Sequence, residues 1–301
     1  MSAAAEAVRA PGTPALPPVL VLAIGVSAMS IAGPLVRFSS APALVIAAWR
    51  LAFSVAFIAL VLGFRRRAWQ GVRLSRAEWL QATVAGLLLA AHFWSWIASL
   101  AMTTVSSSVV LVSTQPIFVA ALSTVLLHEP ATRRQWIGIG IAVAGAFTIG
   151  WGDFGRGRTA LLGDLLAIAG AIFVSGYYII GRRLRQKLDL WLYIAIVYGV
   201  AAGAFLLLGA AHPDVALAPW PRRDWLIFLA LAAGPMMLGH TGVNYALRYL
   251  KAHVANLALL GEPIGATIIA WLLLHEVPGP QTFAGAGLIL GGVALGMTRR
   301  G

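Results

Sequence analysis

Apolar residues occur along the chain in ten long stretches, separated by short polar segments. Each stretch is close to the roughly 20 residues that an α-helix needs to cross the hydrocarbon core of a bilayer. The stretches cover residues 19–37, 42–64, 79–100, 105–127, 135–151, 161–181, 190–210, 225–247, 252–274 and 281–298. A segment inside lipid must satisfy its own backbone hydrogen bonds, which favours helices over strands. The pattern therefore predicts an all-α integral membrane protein with ten transmembrane helices.

The second half of this pattern repeats part of the first. Residues 115–145 align without gaps to residues 262–292, with 9 identities in 31 positions. The repeated positions are Pro116, Glu129, Gly138, Gly140 and Gly145, which return as Pro263, Glu276, Gly285, Gly287 and Gly292. Two halves of five helices each must cross the membrane in opposite senses, and inverted repeats of this kind are typical of secondary transporters. We predict two inverted five-helix repeats around a central cavity, at residues 19–151 and 161–298. A disordered cytoplasmic tail at 1–18 and an external linker at 152–160 complete the predicted organisation.

Composition and charge support this class and predict a direction of insertion. Hydrophobic residues make up 60% of the chain and charged residues 11%, whereas a soluble domain has about 25% charged residues. If the amino terminus is cytoplasmic, 16 of the 22 lysines and arginines fall in inside segments, five fall outside, and Arg50 lies within a span. The positive-inside rule therefore places both termini in the cytoplasm. The net charge of +12 belongs to these loops, and no soluble basic domain is present to bind nucleic acid.

The order, spacing and duplication of these motifs resemble the EamA family of the drug/metabolite transporter superfamily. Pro42 followed by Arg50 is similar to the second-helix pattern of that family, and Glu262-Pro263 to its ninth-helix pattern. The repeated residues that carry the resemblance are Pro116, Glu129 and Gly138 with Pro263, Glu276 and Gly285, and it covers about residues 19–298. It implies a carrier of the bacterial inner membrane that exports amino acids or other small metabolites. Both turns of this chain read His-Glu where the family usually has Gly-Glu.

Polar side chains are rare within the predicted helices, so each is a candidate for the cavity wall. His92, Trp96 and Ser99 share one face of the third helix because they are spaced at i, i+4 and i+7. His240 and Asn244 share a face of the eighth helix in the same way. The remaining cavity candidates are Gln115, Tyr177, Tyr178 and Asn256. The alternative for each is a helix–helix contact, or a lipid-facing position for the aromatic residues.

Two ionisable residues are candidates for charge chemistry. Glu262 precedes Pro263, which removes a backbone hydrogen bond and opens the helix, and Pro116 is the matching helix break in the first half. A carboxylate in a partly apolar cavity is suited to carry a proton or to bind an amine. The alternatives are a static ion pair with Arg50 or a carboxylate facing a water-filled vestibule.

The remaining charge assignments follow from the repeat and from side-chain chemistry. Gln115 occupies the matching position to Glu262 and cannot titrate, so proton coupling would depend on one site. Arg50 itself is predicted to snorkel or to hold helices together in a structural ion pair, and the functional alternative is that it anchors a substrate carboxylate.

The remaining motifs indicate structure rather than catalysis. Glu129 and Glu276 lack the second histidine of an H-E-x-x-H zinc helix, so we predict no metal and no cofactor, and expect both residues to tie helix ends. The repeated glycines predict tight helix packing or a dimer contact. We therefore expect a secondary carrier rather than an enzyme, working by alternating access as a monomer or homodimer among membrane lipids. A lipid or lipid-linked sugar translocase of the same fold and an intramembrane enzyme are the alternatives.

Overall fold

Each of the ten predicted stretches forms a helix in the computed structural model. The structure describes residues 13–65, 73–149, 157–212, 215–274 and 279–297. The unbroken helices are α2 (Ala43–Phe64), α3 (Arg76–Met102), α5 (Arg133–Ile149), α6 (Arg158–Arg185), α7 (Leu190–Ala211) and α10 (Pro280–Met297). The interrupted helices are α1 (Pro18–Met29 and Ala32–Phe38), α4 (Val105–Val112 and Gln115–Leu126), α8 (Arg222–Leu231, Ala232–His240 and Thr241–Ala246) and α9 (Ala252–Ala258, Leu259–Gly261 and Glu262–Leu274). The all-α prediction is therefore confirmed.

Nine helices of the described ranges are long and apolar enough to cross a bilayer. The tenth, α5, has 17 described residues and packs against α10. Helix α6 begins at Arg158, inside the predicted linker. Residues 1–12 of the predicted tail, residues 152–156 of the predicted linker and the second His-Glu turn with Glu276 lie outside the described residues.

Four helices are interrupted near their middle. In α1 the break falls at Ser30 and Ile31, and in α4 it falls at Ser113 and Thr114. Helix α9 contains a 3₁₀ turn, and α8 contains a π-helical segment with Pro235 inside it. Pro116 and Pro263 are each the second residue of the segment after a break, where the first turn leaves the missing N–H unpaired in any case.

The contact between α5 and α10 shows the two-fold relation of the halves directly. A Cβ atom added to Gly138 would lie 2.6 Å from the carbonyl oxygen of Gly292, and one added to Gly145 would lie 2.6 Å from that of Gly285. The repeat relates Gly138 to Gly285 and Gly145 to Gly292, so each of these contacts is the symmetry mate of the other. These glycines pack helices within one chain, which confirms the prediction of two inverted repeats.

Contacts between helix ends agree with ten alternating crossings. One end of the bundle contains the hydrogen bonds that join Arg37 to Leu100, Ser40 to Asp224 and Trp49 to Leu217. The opposite end contains the contacts that join Leu16 to Tyr245, Arg182 to Glu129, Lys187 to Glu78 and His253 to Gln135. We call these the Asp224 end and the Arg182 end. Every pair joins residues that alternation places toward the same face.

Candidate functional site

A central cavity lies where the interrupted helices meet. Its walls come from both repeats, and the empty space between them, including a part that is open to solvent, is about 390 Å³. The lining residues are Met29, Ala32, Arg50, His92, Phe93, Trp96, Val112, Gln115, Val174, Tyr178, Pro235, His240 and Glu262. Broken helices place backbone and polar groups at mid-membrane depth, as substrate sites of inverted-repeat carriers require. The predicted cavity between the halves is therefore present.

The repeat brings its two matching polar residues to this cavity. Gln115 is the first residue of the second segment of α4, and Glu262 is the first residue of the corresponding segment of α9. Gln115 is 5% exposed and Glu262 is 8% exposed. The hydroxyl of Ser30, at the break of α1, lies 3.3 Å from the carbonyl oxygen of Glu262. The breaks of α1 and α9 are thus in contact at Glu262, which is the ionisable residue of the matching pair Gln115 and Glu262.

Arg50 projects into the cavity from α2 and is 1% exposed. Its guanidinium carbon lies 4.1 Å from the ring centroid of Phe93, which is a cation–π contact. The Nε and Nη1 atoms are buried and have no hydrogen-bond partner in the part of the chain that the structure describes. Within the described ranges the ion pairs shorter than 4.0 Å involve Arg182 and Lys187, and Arg50 forms none with Glu262. The static ion pair considered from the sequence is therefore absent from this structure.

Two histidines face each other across the cavity, with ring centroids 6.0 Å apart. The Nδ1 atom of His92 lies 2.9 Å from the carbonyl oxygen of Gly170. A carbonyl only accepts, so this nitrogen carries a proton and the other ring nitrogen is left for further contacts. The Nδ1 atom of His240 lies 3.2 Å from the hydroxyl of Tyr178. Both rings are thus oriented by neighbouring helices.

Four residues that the sequence suggested for the cavity lie behind its wall or away from it. Two of them, Asn244 and Tyr177, bond to each other, because Asn244 donates to the hydroxyl of Tyr177. Asn244 also donates to the carbonyl of His240 at 2.7 Å. Ser99 is hydrogen-bonded to Ser108 at 2.6 Å and joins α3 to α4.

Asn256, the fourth of these residues, donates to the carbonyl of Ala252 within its own helix. These side chains form helix contacts, which is the alternative that the sequence left open for each.

The cavity also contains residues that sequence reasoning missed. Phe93 supports Arg50 and occupies the position that the repeat matches to His240, so the repeat itself contained the signal. Pro235 could have been found as a proline in the middle of an apolar stretch. Met29, Ala32, Val112 and Val174 are apolar, and nothing in their pattern separates them from ordinary core residues.

Polar contacts tie the two repeats together at both ends of the bundle. At the Arg182 end, the Arg182 guanidinium is 2.7 Å from a carboxylate oxygen of Glu129 and donates to the carbonyl of Leu247 at 2.8 Å. This contact gives Glu129 the tying role expected for it. At the Asp224 end, the buried Asp224 carboxylate accepts from both hydroxyls of Ser39 and Ser40 at 2.7 Å and from the Ser40 amide at 2.9 Å.

Comparison with known proteins identifies the family of this chain. The model of the EamA-like transporter family matches residues 16–151 and 161–298. The chain belongs to this family. The two matched ranges coincide with the two inverted repeats, and the family consists of transporters.

Relatives of this EamA-family chain include named exporters at low identity. It is 29% identical over 189 residues to a Salmonella typhimurium protein named "Probable amino-acid metabolite efflux pump", covering 60% of this chain and 62% of that one. It is 27% identical over 187 residues to a Streptantibioticus cattleyicolor protein named "Probable terminal-alkyne amino-acid exporter", covering 62% and 61%. A Bacillus subtilis protein named "Uncharacterized transporter YdfC" is 27% identical over 206 residues, covering 67% and 66%. The chain thus spans less than two thirds of the length of each of these relatives.

A solved crystal structure shares the fold of this EamA-family chain. It superposes with a TM-score of 0.76, covers 93% of this chain and 96% of its own, and is 18% identical in sequence. At this identity the likeness shows the architecture, which agrees with the ten-helix arrangement described above.

Proposed function

We propose that the chain is a secondary transporter that exports amino acids or similar small organic metabolites across the bacterial inner membrane by alternating access. The observation that supports this most directly is the cavity at the breaks of α1, α4, α8 and α9, between two inverted repeats. Helices of one half can rock against the other and expose such a site to each side in turn. The relatives named as amino-acid exporters support the substrate class.

We propose in addition that the Arg182 end faces the cytoplasm. Loops at that end contain most of the lysines and arginines of the chain, and the positive-inside rule assigns such loops to the cytoplasm. Export then moves substrate from the Arg182 end to the Asp224 end.

Glu262 is the residue that we propose for proton coupling. It lies in the cavity without an ion-pair partner within 4.0 Å among the described residues, and its counterpart Gln115 cannot exchange a proton. The ionisable groups that line the cavity with it are Arg50, His92, Tyr178 and His240. A carboxylate that is alternately protonated and deprotonated on the two sides of the membrane would link substrate export to proton entry.

Transport into liposomes tests this proposal. Purified protein is reconstituted, and uptake of a panel of amino acids and related metabolites is measured with and without a pH gradient. We expect uptake of at least one panel member, driven by the gradient. Glu262→Gln mimics a permanently protonated carboxylate and is expected to remove the response to the gradient while leaving the protein folded.

Asp189→Asn is the matched control for this substitution. Asp189 is the N-cap of α7 and accepts from the amide of Trp191 at 2.9 Å, and asparagine is an equally good N-cap. This control removes a carboxylate outside the cavity and is expected to keep the gradient response. An unchanged response in Glu262→Gln would remove the coupling role from Glu262, and absence of uptake across the whole panel would overturn the proposed substrate class.

A further inference from the structure

We propose that the substrate is a zwitterion whose carboxylate is held by Arg50 and whose ammonium group is held by Glu262. This inference rests on the proposed function and specifies its substrate class. The juxtaposition that carries it is one buried cation and one buried carboxylate in the same cavity, facing it from different helices without a direct ion pair.

Arg50 has unused hydrogen-bonding capacity in the cavity wall. Its side chain is buried, and two of its guanidinium nitrogens have no hydrogen bond to any described residue. A buried charge without a partner is costly, and the Phe93 ring supplies only part of the compensation. A carboxylate that accepts from the unused guanidinium N–H groups would satisfy them with charge-assisted hydrogen bonds. A ligand can supply this group, because within the described residues Glu262 acts on Arg50 only at longer range and Arg50 has no ion pair shorter than 4.0 Å.

The presence of Glu262 restricts which ligands can supply that carboxylate. An organic anion would bind Arg50 but would bring a second negative charge toward Glu262. An organic cation would bind Glu262 but would face repulsion from Arg50. A molecule with both charges satisfies both residues and adds no net charge to the cavity, and an α-amino acid has its two charged groups on one carbon atom.

The rest of the wall indicates the side chain of this amino acid. Phe93, Trp96, Val112 and Val174 give apolar and aromatic surface beside the two charges. The Nδ1 atom of His92 is bonded to Gly170 and that of His240 to Tyr178, so each histidine has one ring nitrogen left for a polar contact with the ligand. The wall therefore fits α-amino acids with uncharged, apolar or aromatic side chains.

Three ligands that differ only in charge test the proposal. Phenylalanine has both groups, phenethylamine lacks the carboxylate, and 3-phenylpropionate lacks the ammonium group. Binding of each to the full-length protein in detergent is measured by calorimetry at neutral pH. We expect phenylalanine to bind at least about tenfold more tightly than either analogue, since a hydrogen bond to a charged group contributes on this scale.

Substitutions assign each ligand group to its residue. Arg50→Gln is expected to weaken the binding of phenylalanine by about tenfold or more. The binding of phenethylamine should be unchanged or tighter. Glu262→Gln is expected to weaken the binding of phenylalanine by a similar factor. The binding of 3-phenylpropionate should be unchanged or tighter. Arg50→Lys keeps the charge and is expected to retain most of the preference for the zwitterion. Melting temperatures of the variants show whether each is folded.

The outcomes separate this inference from the proposed function. Equal binding of the three ligands, equal weakening of all three by each substitution, or no binding of any of them to folded protein would overturn the zwitterion site. Transport of an amine or an acid without preference for the amino acid would overturn it and leave the carrier role intact. The expected charge selectivity without any transport in liposomes would instead support the site and overturn the carrier role.

Discussion

At the scale of single residues, Phe93 explains how an arginine is accommodated at the centre of an apolar bundle. The ring faces the guanidinium at 4.1 Å, and a desolvated cation–π contact contributes about 0.5–2 kcal/mol. We expect Phe93→Leu to destabilise the protein by more than its loss of packing alone. A double-mutant cycle with Arg50→Gln, followed by thermal unfolding in detergent, should give a coupling energy of about 1 kcal/mol. Additive effects of the two substitutions would show that the ring does not stabilise the cation.

Residues also show how far a helical face can be predicted from sequence. His92 and Trp96 reach the cavity as their spacing predicts, whereas Ser99 shares their face but does not. Ser99 is seven residues from His92, which is about 10 Å along the helix axis at 1.5 Å per residue. Asn244 is four residues beyond His240, which places it about 6 Å further along the axis of α8. Periodicity gives the angular position of a side chain, but the depth of the cavity depends on where neighbouring helices break.

At the scale of helices, the sequence predicted the existence of all ten and missed two of the breaks. The duplicated prolines marked α4 and α9, but nothing comparable marked α1. There the Ser30 hydroxyl lies 3.3 Å from the carbonyl oxygen of Glu262 at the break of α9, a contact between distant segments that the local pattern around Ser30 does not show. In α8, a proline inside the helix would clash with the carbonyl four residues earlier, and the wider π turn at Ala232–His240 relieves this clash.

The α5–α10 contact gives a prediction at the same scale with a control in the same helix. A methyl group at Gly138 would lie 2.6 Å from a backbone oxygen, whereas one at Gly140 would have no atom of the described residues that surround the helix within 4 Å. We expect Gly138→Ala to destabilise the protein by about 1–3 kcal/mol, since the helices must move apart. Gly140→Ala should be neutral or slightly stabilising, because alanine favours helix over glycine. Thermal unfolding of both variants in detergent is the measurement, and equal melting temperatures would contradict the close contact.

At the scale of the whole molecule, the ties between the repeats lie at opposite ends of one cavity. Glu129 bonds to Arg182 at one end, and Asp224 bonds to Ser39 and Ser40 at the other. In the alternating-access cycle proposed above, access to the cavity from either side requires the repeats to separate at that side, so the two ties would open alternately. Each tie would then stabilise the state that is closed at its own end.

This opposition predicts that weakening the two ties has opposite effects. The chain contains no cysteine, so Val112→Cys places a single thiol in the cavity wall for labelling with a membrane-impermeant maleimide from either side. Asp224→Asn disrupts hydrogen bonds to a charged group, each contributing about 1.5–3 kcal/mol, and should raise the labelling rate from the Asp224 end by about tenfold. Glu129→Gln should instead raise the rate from the Arg182 end, while each variant lowers the rate from the opposite side. If both substitutions shifted access toward the same side, the ties would not be alternating closures of a shared cavity.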